Sequence, residues 1–264
     1  MPPNRERLYH TEAVVLRRHD MGEADRLITL YTPNVGKLRA IAKGVRKPAS
    51  RKAGHVELFI HCSLLIARGK NLDIITQAET VHPFRPLRED LERITYAHYA
   101  VELLDRFAVE NESNHPLFDL LVSTLQRLCE ADDLALVTRF YELRVLALEG
   151  YRPQFFYCLD CSDEIKPVTN YFSPSRGGIL CPRCGEGLIN VSGMARHVRP
   201  LAVTTLKVLR YLQTHPYEEC SRLRLTATTH RDLETMMQHY ITFILERNLK
   251  SIEFMKRLRQ ERIE

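Results

Sequence analysis

Four cysteines carry the clearest chemistry in the chain. Cys158 and Cys161 form one Cys-x2-Cys pair in "YCLDC", and Cys181 and Cys184 form a second in "CPRCG", nineteen residues further on. Pairs separated by about 15–20 residues have the spacing of a zinc ribbon. Each pair turns tightly around one ion, and four thiolates complete a tetrahedral shell. The spacing therefore predicts one Zn2+ held by all four. Four free thiols, or a redox or iron–sulfur role, are the competing readings. A shell of four thiolates leaves no position for an activated water, so the predicted zinc is a structural staple. It closes an insert at about residues 155–190 that has little apolar core, and its binding energy is folding energy. Cys62, Cys129 and Cys220 sit in apolar contexts and read as packing residues.

Other catalytic constellations fail on inspection. A zinc deaminase needs His-x-Glu and then Pro-Cys-x-x-Cys. "HTE" (His10–Glu12) and "HVE" (His55–Glu57) supply the first half, but Leu180 stands where the proline is required. No phosphate-binding Gly-x-x-x-x-Gly-Lys-Ser/Thr, no Gly-x-Ser-x-Gly and no His-Glu-x-x-His is present. The expectation is a protein without an active site.

Charge supplies the second signal. The net charge is only +5, but residues 1–56 hold twelve Lys/Arg against five Asp/Glu, so the positive field belongs to the start of the chain. Such asymmetry suits a polyanionic partner. "GKLRAIAKGVRKPASRKAGH" (Gly36–His55) has seven basic residues and no acid. Strand periodicity puts Lys37, Arg39 and Lys43 on one face of "KLRAIAK" and Leu38, Ala40 and Ala42 on the other. Arg46, Lys47, Arg51 and Lys52 follow in a loop. Together with Arg26, these eight cations are the candidate phosphate contacts of a nucleic-acid surface. The bland reading is a solvated edge protected by lysines. Aromatic residues are sparse here, so backbone electrostatics should dominate and give a strong salt dependence.

The elements that must position these residues are of two kinds. Before residue 82, "EAVVLRR", "DRLITLYT", "KLRAIAKGV", "VELFIHCSLLIAR" and "DIITQAE" alternate in strand fashion between turn signals. Five short strands predict a small barrel; the OB-fold is the oligonucleotide-binding candidate and an SH3-like barrel its rival. After "HPFRP" the period becomes helical. Asn114 caps one predicted helix and Gly150 stops another. The expected fold is α+β: an OB-fold barrel over residues 1–81, then a mainly helical domain over 82–264 with the four-cysteine zinc insert. "RHVRPLAVTTLKVLRYLQTH", "HRDLETMMQHYITFILER" and "SIEFMKRLRQERIE" read as late helices. No segment reaches the ~20 apolar residues of a membrane span. The first residues lack the apolar region of a secretory signal. Both point to the cytoplasm, and no membrane partner is expected.

The order of these segments resembles the RecO family of bacterial DNA repair proteins. The resemblance rests on "TEAVVLRRHDMGEADRLITLYTPNVGKLRAIAKGVRKPASRKAGHVELF", "IARGKNLDIITQAE", "FRPLREDLERITYAHYAVELLDRF" and "RFYELRVLALEGYRPQFFYCLDC", and it spans about residues 8–250. It implies a recombination mediator that binds single- and double-stranded DNA and anneals complementary strands. With RecR, such a mediator loads RecA onto DNA coated by single-stranded-DNA-binding protein. That coating protein's acidic, apolar-ended tail would need an apolar pocket rimmed by cations. Leu201, Leu206, Leu209 and Leu212 beside Lys207 and Arg210 are candidates, against the plainer reading that the stripe is core. Some family members lack the cysteines, which fits a staple. An RNA- or ribosome-associated binding module with the same basic barrel is the alternative.

Overall fold

In the computed structural model, residues 7–189, 198–246, 249–252 and 255 are described. They fall into two compact units, one drawn from the described residues of 1–131 and 251–264 and the other from those of 132–250. In chain order, the second unit therefore interrupts the first.

The first unit begins with five strands: β1 (Leu8–Met21), β2 (Asp25–Thr32), β3 (Gly36–Ala42), β4 (His61–Ala67) and β5 (Asp73–His82). They close on themselves in the order β1-β2-β3-β5-β4. All neighbours are antiparallel except β3 and β5, which run parallel through Ala40↔Asp73 and Ile41↔Ile74. Alternation sets the interior: Leu38, Ala40 and Ala42 join Ile28, Leu30, Cys62, Leu64, Ile66 and Ile75 in one apolar cluster.

β4 begins at His61, five residues later than the run "VELFIHCSLLIAR" predicts. The cause is Phe59, fully buried with φ 68. Left-handed backbone at a bulky residue turns the chain and costs about 1–3 kcal/mol. Here it lets the Phe59 N–H donate to the Val15 carbonyl at 3.0 Å, while the Val15 N–H donates to the Ile60 carbonyl at 3.1 Å.

Helices α1 (Pro86–Glu89), α2 (Leu91–Phe107) and α3 (His115–Glu130) pack in the same unit. Asp90 caps α2 by accepting from the Glu92 and Arg93 N–H groups. Asn114 caps α3, accepting from the Leu117 N–H at 3.0 Å. Phe118 of α3 meets His61 of β4 edge to face. Ser251 returns to this unit from beyond the second: its N–H and hydroxyl both donate to one oxygen of Glu102, at 2.9 and 2.7 Å.

The second unit holds α4 (Leu134–Leu148), β6 (Asn170–Ser173), β7 (Gly178–Leu180), α5 (Pro182–Ile189), β8 (Arg199–Leu201), α6 (Val203–Thr214), α7 (Tyr217–Cys220) and α8 (Ala227–Leu245). α4 packs against α6 and α8. Gly150, at φ 81, ends the α4 segment as its sequence signals. The small sheet β7-β6-β8 was not expected from the sequence. Most of the late segment "SIEFMKRLRQERIE" lies outside the described residues.

Candidate metal centre and nucleic-acid interface

The two cysteine pairs are brought together by different devices. Cys158 and Cys161 lie on a tight turn, closed by the Ser162 N–H donating to the Cys158 carbonyl at 2.9 Å, with Ser162 at φ 63. Cys181 and Cys184 sit at the start of α5, immediately after β7. The Leu159 N–H donates to the Ile179 carbonyl at 3.1 Å and ties the turn to β7. All four sulfurs then lie within 4.8 Å of one another. A tetrahedron with metal–sulfur bonds near 2.3 Å has sulfur–sulfur edges of about 3.8 Å. The Cys161–Cys181 separation is 3.7 Å. The quartet therefore fits a metal ion by geometry and by donor set. Among the described residues it is the only His/Cys/Asp/Glu group of this kind.

Burial would push the Cys158 thiol up, but backbone N–H groups of Cys161, Cys181 and Asp160 outweigh it and bring it down to about 7. The Cys181 N–H stands 3.4 Å from that sulfur. That bonding favours the thiolate, the form that binds a metal, at Cys158; burial and the neighbouring sulfurs instead push Cys184 up to about 12, and Cys161 is raised as well. Gly185, next after the last cysteine of the quartet, is there for a close approach. A Cβ on Gly185 would lie 2.3 Å from the Tyr171 ring, and Gly185 is not among the positive-φ glycines. The remaining cysteines have other environments. Burial raises Cys62 to about 12 and Cys220 to about 11, and also raises the half-buried Cys129.

The eight cations of the barrel meet different fates. Arg26 is held by Asp20 at 3.0 Å and Glu57 at 3.1 Å, and Glu57 also bonds Arg18. Arg46 pairs with Asp20 at 3.5 Å and donates to the Gly22 carbonyl at 3.1 Å. Arg39 pairs with Glu110 at 3.3 Å. Lys37 donates to the Asp105 carbonyl at 2.7 Å and lies 3.6 Å from its carboxylate. Lys52 donates to the Ile75 carbonyl at 2.9 Å, and burial lowers its ammonium from the ordinary lysine value. Lys43, Lys47 and Arg51 are exposed, and among the described residues none has an ion pair or side-chain hydrogen bond. The open part of the surface is therefore the loop after β3.

Charge counting along the sequence did not reveal the acidic partners. Asp105 and Glu110 come from α2 and the segment after it, far along the chain. That segment lies beside β3: the Asn111 N–H donates to the Lys37 carbonyl at 3.1 Å. Gly36, at φ 70, makes room, because a Cβ there would fall 1.9 Å from the Glu112 carbonyl oxygen. Arg68 and Lys70, in the β4–β5 turn, are two further exposed cations. Their signal was "RGKN", which marks a loop rather than a charge cluster. Arg68 lies over the Tyr9 ring at 4.7 Å.

In the second unit, Leu201, Leu206, Leu209 and Leu212 are core, between 0 and 3% exposed. Arg210 donates to the Phe155 and Ile165 carbonyls at 2.9 and 3.1 Å and lies over the Phe156 ring. It fastens α6 to the cysteine insert, while Lys207 is exposed. A nearby cleft of about 840 Å3 has an apolar floor including Phe172, Leu201 and Met236, and Arg199 and Arg231 among its lining.

Two family models cover nearly the whole chain. The one described as "Recombination protein O N terminal" matches residues 7–84, and "Recombination protein O C terminal" matches residues 88–253. Curated relatives agree along their length. A protein of Roseiflexus sp. (strain RS-1) is 43% identical over 256 residues, covering 97% of this chain and 88% of its own. One of Pelotomaculum thermopropionicum is 38% identical over 96% of each chain. One of Dehalococcoides mccartyi (strain BAV1) is 35% identical over 95% of this chain and 96% of its own. All three are named "DNA repair protein RecO". No helix of the described residues is long and apolar enough to cross a membrane.

Proposed function

The chain belongs to the RecO family of DNA repair proteins, and from that premise we propose that it is a non-catalytic recombination mediator. It binds single- and double-stranded DNA through the barrel and anneals complementary strands. With RecR, it assists RecA onto strands coated by single-stranded-DNA-binding protein, in the cytoplasm. The carrying observation is the Lys43–Lys52 loop after β3 of the closed five-strand barrel, in which Lys43, Lys47 and Arg51 have no ion pair or side-chain hydrogen bond among the described residues. The strand order supports an OB-fold, whose commonest ligands are oligonucleotides and oligosaccharides. We take residues 1–81 as the nucleic-acid-binding domain and 82–264 as the helical domain. Contacts to phosphate carry no sequence information, so recognition is of backbone rather than of base.

The metal of Cys158, Cys161, Cys181 and Cys184 is read as one Zn2+. When bound, it supplies cross-linking of the two pairs and no Lewis-acid step, because four thiolates saturate it. The tail of the coating protein is assigned to the cleft of Arg199, Arg231, Phe172 and Met236 rather than to the buried leucine stripe of α6.

The deciding experiment is annealing of coated complementary strands with and without RecR. Strand pairing that needs the intact Lys43–Lys52 loop supports the reading. Equal pairing by a Lys43/Lys47/Arg51 triple alanine variant removes its basis, as does stronger binding to RNA than to DNA.

A further inference from the structure

Three carboxylates occupy the arginines of the proposed phosphate surface. Asp20 sits between the Arg26 and Arg46 guanidiniums, at 3.0 and 3.5 Å. Glu57 takes the other side of Arg26 at 3.1 Å. Glu110 meets Arg39 at 3.3 Å, both side chains being about half exposed. Two guanidiniums converging on one small anion is also how proteins grip a phosphate. Exposed pairs of this kind are weak, and a polyanion at high local concentration can displace them. The bond from Arg26 keeps the Asp20 carboxyl below its ordinary range, so it stays charged at working pH.

We propose that Asp20 and Glu110 are internal competitors for DNA phosphate, standing where backbone phosphates would otherwise bind, so that they set the protein's affinity for nucleic acid. The proposal rests on the reading of this surface as a phosphate-binding one. It follows that phosphate contact at Arg26, Arg39 and Arg46 is an exchange of one anion for another. Such an exchange contributes little net counterion release, because the freed carboxylate gathers cations of its own. Only Lys43, Lys47 and Arg51 then contribute fully to the salt dependence. Three contacts predict a slope of log K against log salt of about −2 on single strands.

The loop does not depend on Asp20 for its position. The Arg46 N–H donates to the Ala24 carbonyl at 2.9 Å, the Gly44 N–H donates to the Asp25 carboxylate at 2.7 Å, and the Arg46 side chain also reaches the Gly22 carbonyl. Replacing Asp20 with Asn therefore removes the competing charge and leaves the scaffold. Glu23, exposed in the same hairpin turn and, among the described residues, without an arginine partner, provides the control.

The test measures binding of the full-length protein to a labelled oligodeoxythymidylate across a salt series, for wild type, Asp20→Asn, Glu110→Gln, the double variant and Glu23→Gln. Each of the first two should bind about 2- to 5-fold more tightly. The double variant should steepen the slope by about 1–2 units. Glu23→Gln should change neither by more than the small effect of one added unit of charge. Affinity that is unchanged or lower in Asp20→Asn and Glu110→Gln overturns the proposal. So does a Glu23→Gln gain equal to theirs, which would reveal a general field instead of occupied arginines. Wild-type binding that ignores salt overturns the phosphate-surface reading itself, a result distinct from either.

Discussion

Gly185 stands where a methyl group has no room. Its neighbour is the Tyr171 ring of β6, and the Gly185 N–H donates to the Cys181 carbonyl at 2.9 Å. Gly185→Ala should therefore lower stability by about 1–3 kcal/mol. It should also speed loss of the metal to a coloured chelator, and Tyr171→Ala in the same chain should restore part of both. Equal metal retention in Gly185→Ala would mean the ring moves freely. His61 and His98 give a second residue-scale expectation. Burial lowers both below the ordinary histidine value of 6.5; Glu12 and His82 face the first, and Glu102 the second. Below pH 6.5 the unfolded chain binds protons that the folded chain refuses, so stability falls as pH drops from 6.5 through the folded values and is flat above about 7. The loss can reach about 1.4 kcal/mol per pH unit for each group. Denaturation midpoints between about pH 7.5 and 5.5 should show the slope, and His61→Asn should flatten it. Residues of this kind divide sharply in legibility. The four cysteines were readable because their spacing is local. The partners of Arg39 and Lys37 were not, because the acids that meet them arrive about seventy residues later.

At the scale of elements, local signals located the strands and caps that tertiary contacts do not override. β2 spans the same residues as its alternating run, 25–32, and Asn114 caps α3 as its position before Pro116 indicated. The start of β4, five residues inside its predicted run, escaped because periodicity cannot register a left-handed phenylalanine. The β7-β6-β8 sheet escaped because strands of three or four residues are too short to show a period of two. Asp90 satisfies two orphan N–H groups at the start of α2. Asp90→Ala should cost about 1 kcal/mol, read as an earlier denaturant midpoint with unchanged slope. The acidic segment at 110–112 illustrates why an element's neighbours matter to function. Glu110 pairs Arg39 and, with Asp105 of α2 pairing Lys37, it leaves Lys43 and the adjoining loop as the open part of the predicted basic face.

At the scale of the molecule, a four-cysteine cluster in one unit and an open charged loop in the other should respond to different insults. Metal removal, or Cys181→Ser, should lower the unfolding temperature of the second unit while barrel-dependent DNA binding survives at permissive temperature. Calorimetry with and without chelator, alongside an oligonucleotide titration, checks both parts. Simultaneous loss of both would show that the units unfold as one. The bond from Ser251 to Glu102 bears on how the molecule comes into being. A ribosome emits the barrel and its helices first and Ser251 only after the whole second unit. The first unit therefore waits, unfinished, with the Glu102 carboxylate lacking both Ser251 donors, until synthesis has passed the four-cysteine cluster. A chain halted before residue 251 would have made every cysteine and every cation of the candidate sites, yet would lack the residue that fastens the earliest part of the molecule to one of the latest.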